Sequence, residues 1–163
     1  MNLRQANIED ISVIQEIAEI AFRETYSPIL SAEQLSYMLD MMYSTSSLER
    51  QLREGQEFIL LSEADTYLGF VSYEANFDGK GAMKLHKLYL LPQYKGRGLG
   101  RILVEAVLQK GRELEAVAVR LNMNRNNQTY DFYTHMGFVV VGEEDIDIGS
   151  GYLMEDYIFE KTL

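Results

Sequence analysis

The stretch Gln93–Gly100, QYKGRGLG, follows an apolar run that ends at Pro92 and opens a strongly amphipathic segment. Glycines at 96, 98 and 100 let the backbone turn with its N–H groups converging, and a helix starting there adds partial positive charge at its first turn. Lys95, Arg97 and Arg101 bring side chains of the same sign. The stretch reads as an anion cradle at a strand-to-helix junction.

Two familiar glycine-rich turns fail against it. A dinucleotide fingerprint needs a third glycine three residues after the second, where Arg101 stands, and no βαβ unit with a ribose-binding acid follows. A P-loop needs Gly, Lys and Ser or Thr in succession, which Gly98, Leu99, Gly100 and Arg101 do not supply. An anion-binding turn of no further identity stays open, as does a turn whose glycines only allow tight packing.

Outward from the turn, strands and helices alternate. Leu3–Ala6 suits a first strand, and Asn7 an N-cap for a helix with Ile8, Ile11, Ile14, Ala18 and Ala21 on one face, ending before Pro28. Ser31 caps a second helix carrying Leu35, Met38, Leu39 and Met42, and a third covers Leu48–Glu54. The methionines and tyrosines there suit core filling or a substrate-side wall; a dimer surface is the alternative. Phe58–Leu61 and Thr66–Phe77 read as strands around a tight turn near Glu63–Asp65, and Leu85–Leu91 as another strand. The helix after the turn runs to about Glu115, with Leu99, Ile102, Leu103, Ala106, Val107 and Leu114 as its buried face. Val117–Leu121 is a strand, Gln128–Met136 a helix ended by Gly137, and Phe138–Val141 and Tyr152–Phe159 the last strands.

Composition narrows the function classes. The 163 residues, 47% of them apolar and with only two prolines, suit one domain over residues 1–163. The absence of cysteine excludes disulfides, thiolate metal sites and a cysteine nucleophile. The N-terminus lacks the apolar core of a signal peptide and no run is long enough to span a membrane, so a cytoplasmic protein is expected. A net charge of −10 argues against nucleic acid as a partner. Nine Lys or Arg against three Glu between Lys84 and Arg125 make a basic segment, whereas seven Asp or Glu against one Lys follow Gly142. Solvated faces explain such segregation; so does an anionic cofactor bound in one place and a cationic substrate in another.

Gln93, Gly96 and Gly98 match the Gln/Arg-x-x-Gly-x-Gly/Ala turn of the GNAT N-acetyltransferase superfamily. About thirty residues on, LNMNRNNQTYDFYTHMGF resembles the family's second motif through Asn126, Phe132, Tyr133, Gly137 and Phe138, with Thr129 where an alanine is usual. Within the superfamily, KLYLLPQYKGRGLG, LNMNRNN and IGSGYLMEDYIFEK look like the spermidine and spermine acetyltransferase group that includes the PaiA proteins. The resemblance implies an α/β fold, a mixed and largely antiparallel sheet that splays open between flanking helices. It also implies acetyl-CoA as co-substrate, its pyrophosphate on the turn of Tyr94, Lys95, Gly96, Arg97, Gly98, Leu99, Gly100 and Arg101.

Further roles follow from the resemblance. Tyr89, Leu90 and Leu91 would offer a strand edge to the pantetheine arm, with the Leu90 N–H as donor to the thioester oxygen. Tyr133 would protonate the departing thiolate, or else is a core aromatic. The helix is expected to set Tyr130 and Tyr133 one turn apart, on a face distinct from Phe132 and Met136. Asn126 would bond the cofactor or cap its helix. A protonated amine must lose a proton before it attacks, and His86, on the same strand face as Leu88 and Leu90, is the candidate base, with a structural histidine as the alternative. His135 suits a helix C-terminal charge, and no metal is expected. The expected reaction is acetyl transfer to a primary amine, a small cationic amine such as a polyamine, by direct attack in a ternary complex. A peptide N-terminus or lysine is the rival acceptor, and a CoA-binding module without turnover the rival class.

Overall fold

Asn7 turns the chain out of a short first strand, β1 (Asn2–Gln5), and into helix. Its side chain accepts from the Glu9 N–H, while Asp10 Oδ2 accepts from the Asn7 N–H, a reciprocal cap. Arg4 grips the same carboxylate with bonds of 2.8 and 2.9 Å. A 3₁₀ turn at Ile8–Asp10 leads into α1 (Ile11–Tyr26), which stops before Pro28. Ile8, expected on the buried face, is exposed because that turn puts it out of phase with α1. Ser31 caps α2 (Ala32–Tyr43) and Ser44 caps α3 (Thr45–Arg53), each accepting from a backbone N–H three residues on. The computed structural model describes residues Met1–Leu163 throughout.

Seven strands form one sheet: β1, then β2 (Gln56–Glu63), β3 (Thr66–Glu74), β4 (Met83–Leu90), β5 (Ala118–Asn124), β7 (Tyr152–Thr162) and β6 (Val139–Gly149), in that spatial order. Every pairing is antiparallel except β4 with β5, which α4 (Leu99–Glu113) connects as a crossover. The parallel pair is registered only at Met83 with Val119 and Lys84 with Arg120. Beyond those residues β4 and β5 diverge, so the sheet is mixed, largely antiparallel and splayed, as the family resemblance implied. A short helix, α5 (Tyr130–His135), joins β5 to β6.

Apolar residues fill both faces of the sheet. One core packs α4 and α5 against Val71, Tyr73, Leu85, Val119, Leu121 and Phe159. The other packs α1, α2 and Leu48 of α3 against Phe58, Leu60 and Phe70. Leu35, Met38, Leu39 and Tyr43 of the methionine- and tyrosine-rich helix point into this second core.

Two segments depart from the sequence reading. β6 is far longer than expected and β7 runs on to Thr162, the two forming a ribbon that turns at Gly149–Gly151. At its tip Tyr37 of α2 donates to the Ile148 carbonyl at 2.6 Å, pinning the ribbon across α2. A bulge also interrupts β4: Ser72 pairs with Lys87 and Tyr73 with Leu85, leaving His86 as the extra residue. Met83 and Leu85 pack toward α4 before it, Leu88 and Leu90 after it. His86 therefore does not share a face with Leu88 and Leu90, because the strict period of two assumed for this strand breaks at that residue.

Candidate active site

The divergence of β4 from β5 opens a cleft of ≈ 610 Å³ at the centre of the sheet. The Leu91 N–H donates to Leu68 O at 2.9 Å, so by strand alternation Tyr89 also faces β3. Leu88 and Leu90 then turn their N–H and C=O groups the other way, into the cleft, where β5 has withdrawn. This is an unpaired strand edge inside a sheet, suited to a chain of amides. Only Leu90 of the three edge residues expected, with Leu88 added, presents its backbone there.

The glycine-rich turn closes one end. Pro92–Tyr94 forms a 3₁₀ turn, and Gly96 and Gly98 take left-handed φ of 81° and 76° before α4 begins at Leu99. A Cβ at either glycine would meet nothing within 4 Å, so these positions are glycine for backbone conformation and leave open space before the helix N-terminus. The first N–H groups of α4 lack intrahelical partners and face that space. A methyl at Gly100 would lie 3.4 Å from the Phe132 ring, which fits α5 closely against α4. Lys95 and Arg97 are paired with Glu24 at 2.6 Å and Glu63 at 3.0 Å, whereas Arg101 forms no ion pair. The turn's positive potential therefore comes from backbone dipoles and Arg101 more than from three free cations.

His86, Tyr89, Leu90, Lys95, Gly96, Gly98, Leu99, Gly100, Arg101 and Tyr133 converge on the cleft. Leu91, Tyr94, Arg97 and Asn126 do not line it. Asn126 neither caps α5, whose N-cap is Thr129, nor reaches the cleft; its own N–H is held by Asn124 Oδ1 at 2.9 Å. Asn127 takes the local role, its Oδ1 accepting from the Thr129 N–H at 3.0 Å, and both residues line the cleft. His135 ends α5 exposed, but Lys161 Nζ is the cation that reaches its last turn, 3.0 Å from Met136 O.

Tyr133 is buried against Phe132, Phe138 and Phe159, in T-shaped contact with the first two rings and tilted against the third. It shares its core with Met136, so the separation of faces expected within α5 does not hold in a helix this short. Burial, and then the nearby Tyr26 phenol, raise its pKa, which keeps the hydroxyl protonated. The sulfur of a thioester held in the cleft would feel the same desolvation, so the proton affinity of a departing thiolate rises beside it.

His86 Nε2 lies 2.8 Å from Glu74 Oε1. Burial lowers the imidazole pKa, and Lys87 and Lys84 add to that against the pull of Glu74. Held neutral and with Nε2 engaged by Glu74, His86 lines the cleft as a weaker base than a free imidazole.

Of the opposite half of the cleft, the sequence offered only a substrate-side wall of methionines and tyrosines, without Phe22, Thr25, Ile146 or Asp156. Phe22, Thr25 and Tyr26 of α1 and Met38 and Met42 of α2 form an aromatic and thioether wall, while Ile146 of β6 and Met154 and Asp156 of β7 form the facing one. Phe22 lies 4.6 Å from the Tyr26 ring and 6.0 Å from Tyr89. Asp156 is 1% exposed. The available signal was the acidic C-terminal segment, which became specific only once β7 paired with β5. No three His, Asp or Glu side chains converge as metal ligands, and no helix is long and apolar enough to cross a membrane.

Residues 26–153 match the family described as acetyltransferase (GNAT) domain. The spermidine N(1)-acetyltransferase of Thermoplasma acidophilum is 29% identical over 95% of this chain and 96% of its own. The peptidyl-lysine N-acetyltransferase YjaB of Escherichia coli is 30% identical over 76% of this chain and 73% of its own. The crystal structure of the Thermoplasma acidophilum PaiA N-acetyltransferase in complex with coenzyme A superposes with a TM-score of 0.80, at 26% identity, over 100% of both chains. The splayed sheet, the glycine turn at a helix N-terminus and these likenesses agree: the chain belongs to the GNAT family and is an acetyl-CoA-dependent N-acetyltransferase.

Proposed function

We propose that the enzyme acetylates a primary amine on a small polycation such as a polyamine. The observation that carries this reading is the acidic β6–β7 ribbon, which supplies Ile146, Met154 and Asp156 to the cleft and bears Glu144 opposite Asp156 in register. Glu144 lies on the same ribbon face as Asp156, forms no ion pair within the chain, and with Asp156 gives an approaching ammonium a negative path. Likeness to a spermidine acetyltransferase over nearly the whole chain supports the same acceptor. Protein lysine is the second reading, favoured by the likeness to YjaB. A cytoplasmic site of action belongs to this proposal, since acetyl-CoA and polyamines meet there.

In this reading the chain's own groups do most of the work by position. The open turn at Gly96–Arg101 takes the pyrophosphate on backbone N–H groups, and the Leu88 and Leu90 edge pairs with the pantetheine amides. Acetyl-CoA supplies an activated acyl group. The Leu90 N–H stabilises charge on the carbonyl oxygen, and Tyr133 delivers a proton to sulfur. Thiol release from acetyl-CoA, followed across polyamines, amino acids, aminoglycosides and peptides, tests the acceptor; spermidine is expected to give the highest kcat/KM, and a preference for peptides overturns that choice. In the same assay Tyr133→Phe should lower kcat about a hundredfold with acetyl-CoA affinity unchanged. An unchanged kcat removes Tyr133 from the reaction.

A further inference from the structure

We propose that Asp156, on β7, anchors the acceptor's ammonium group and takes its proton, a role that rests on the amine-acetylation reading above. The carboxylate lines the cleft yet is almost wholly enclosed. Asn122 Nδ2 donates to Oδ2 at 3.3 Å; Oδ1 has no donor and no cation forms an ion pair with either oxygen. A buried carboxylate left without a cation is costly, so the chain maintains here a site that an incoming ammonium completes.

The surroundings favour a ligand cation over an internal one. Glu144 on β6 lies opposite in register and shares Asn122 Nδ2 at 3.5 Å. Arg125, which follows β5, spends its charge on Glu143 and Asp145 and touches only the backbone carbonyl of Asp156, at 3.3 Å. Lys84 on β4 is near enough to be felt but forms no ion pair. From α1, the phenol of Tyr26 faces the carboxylate across the cleft, beside the rings of Phe22 and Tyr89. An ammonium seated at this acid gains ion pairing, with the Tyr26 hydroxyl as a polar neighbour. Burial, with Glu144 adding repulsion, holds the Asp156 carboxyl above the usual range against the opposing pull of Asn122, Lys84 and Arg125. That narrows the gap to the ammonium it must deprotonate.

The step balances without a further reactant. One N–H bond of the ammonium breaks as an O–H bond forms on Asp156, leaving a neutral amine and a neutral carboxyl. The amine nitrogen bonds to the thioester carbon as the carbon–sulfur bond breaks, the second nitrogen proton replaces the one Tyr133 gives to sulfur, and Asp156 returns its proton to water. The products are the amide, the thiol and one released proton.

Asp156→Asn keeps the shape and removes the charge. Against spermidine it should lower kcat/KM at least about a hundredfold, the scale of a lost base and a lost buried ion pair, while acetyl-CoA affinity and thermal midpoint stay near wild type. The acidic limb of the kcat/KM profile, which requires ionised Asp156 and lies above the ordinary carboxylate range, should disappear. Wild-type turnover with Asp156→Asn folded and within threefold of it overturns the proposal and leaves acetyl transfer intact. If Asp156→Asn fails to fold, Asn122→Leu, which strips the only side-chain donor, should move that limb up by about one pH unit; an unmoved limb overturns the role. If no amine in the panel elicits thiol release from the wild type, amine acetylation fails instead. Calorimetry of spermidine on the CoA complex then decides Asp156: binding lost in Asp156→Asn supports the anchor, and equal or absent binding overturns it.

Discussion

Lys87 carries its charge into a space that offers it no carboxylate. Nζ lies 2.7 Å from Gln51 Oε1 and 3.0 Å from Gln56 Oε1, between the rings of Tyr43 and Phe58. Burial, with Lys84 nearby, pushes its pKa down to about 7. The unfolded chain holds this proton up to the ordinary lysine range, so between about pH 7 and 10 the unfolded state binds more protons and stability rises with pH. Urea unfolding between pH 7 and 9 should show a slope of up to about 1.4 kcal/mol per pH unit that Lys87→Met abolishes. Equal slopes would mean Lys87 does not titrate in this window. None of this was visible in the sequence, where Lys87 is one basic residue among nine: its burial depends on the bulge at His86, and a bulge leaves no mark in a period-two pattern. Tyr133 was legible as a cleft residue because its motif carries it there, while Asp156 was one acid in an acidic run.

The turn into α4 shows what an element needs beyond its composition. Gly98 is the N-cap of α4 at φ 76° with open space where a side chain would project. A β-branched residue there must either bear left-handed strain of about 1–3 kcal/mol or re-aim the first N–H groups of the helix. Gly98→Val is therefore expected to weaken CoA binding at least about tenfold by calorimetry, with helix content by circular dichroism retained. Full affinity in that variant would mean the N-terminus of α4 is not the phosphate cradle. Elements whose apolar faces repeat were readable: α1, α2, α4 and β2–β3 fall within a few residues of expectation. The β6–β7 ribbon was not, because Ile146 and Ile148 alternate with exposed Asp145 and Asp147 over only four residues, and Glu143 and Glu144 before them expose both faces of the strand.

Across the whole molecule, the sequence carried the layer order and the splay only through a family resemblance, since alternation identifies strands without saying which neighbours separate. The half of the cleft built on the Gly96–Gly100 turn was legible because backbone conformation there demands glycines at fixed spacing. The opposite half comes from α1 and α2 near the start of the chain and β7 near its end, which are joined where Tyr37 pins the ribbon tip over α2. No short motif can encode such a wall.

Because β4 leaves β5 after Lys84, amides in the middle of a seven-stranded sheet lack partners on one side. In deuterium exchange followed residue by residue, Leu88 and Leu90 should exchange like surface amides while Tyr89 and Leu91 between and beside them stay protected. Adding CoA should slow the first pair and leave the second unchanged; uniform protection along β4 in the free protein would show that the seam is closed in solution. One strand would then keep two clocks, one set by the fold and the other started only when the missing neighbour arrives as a ligand.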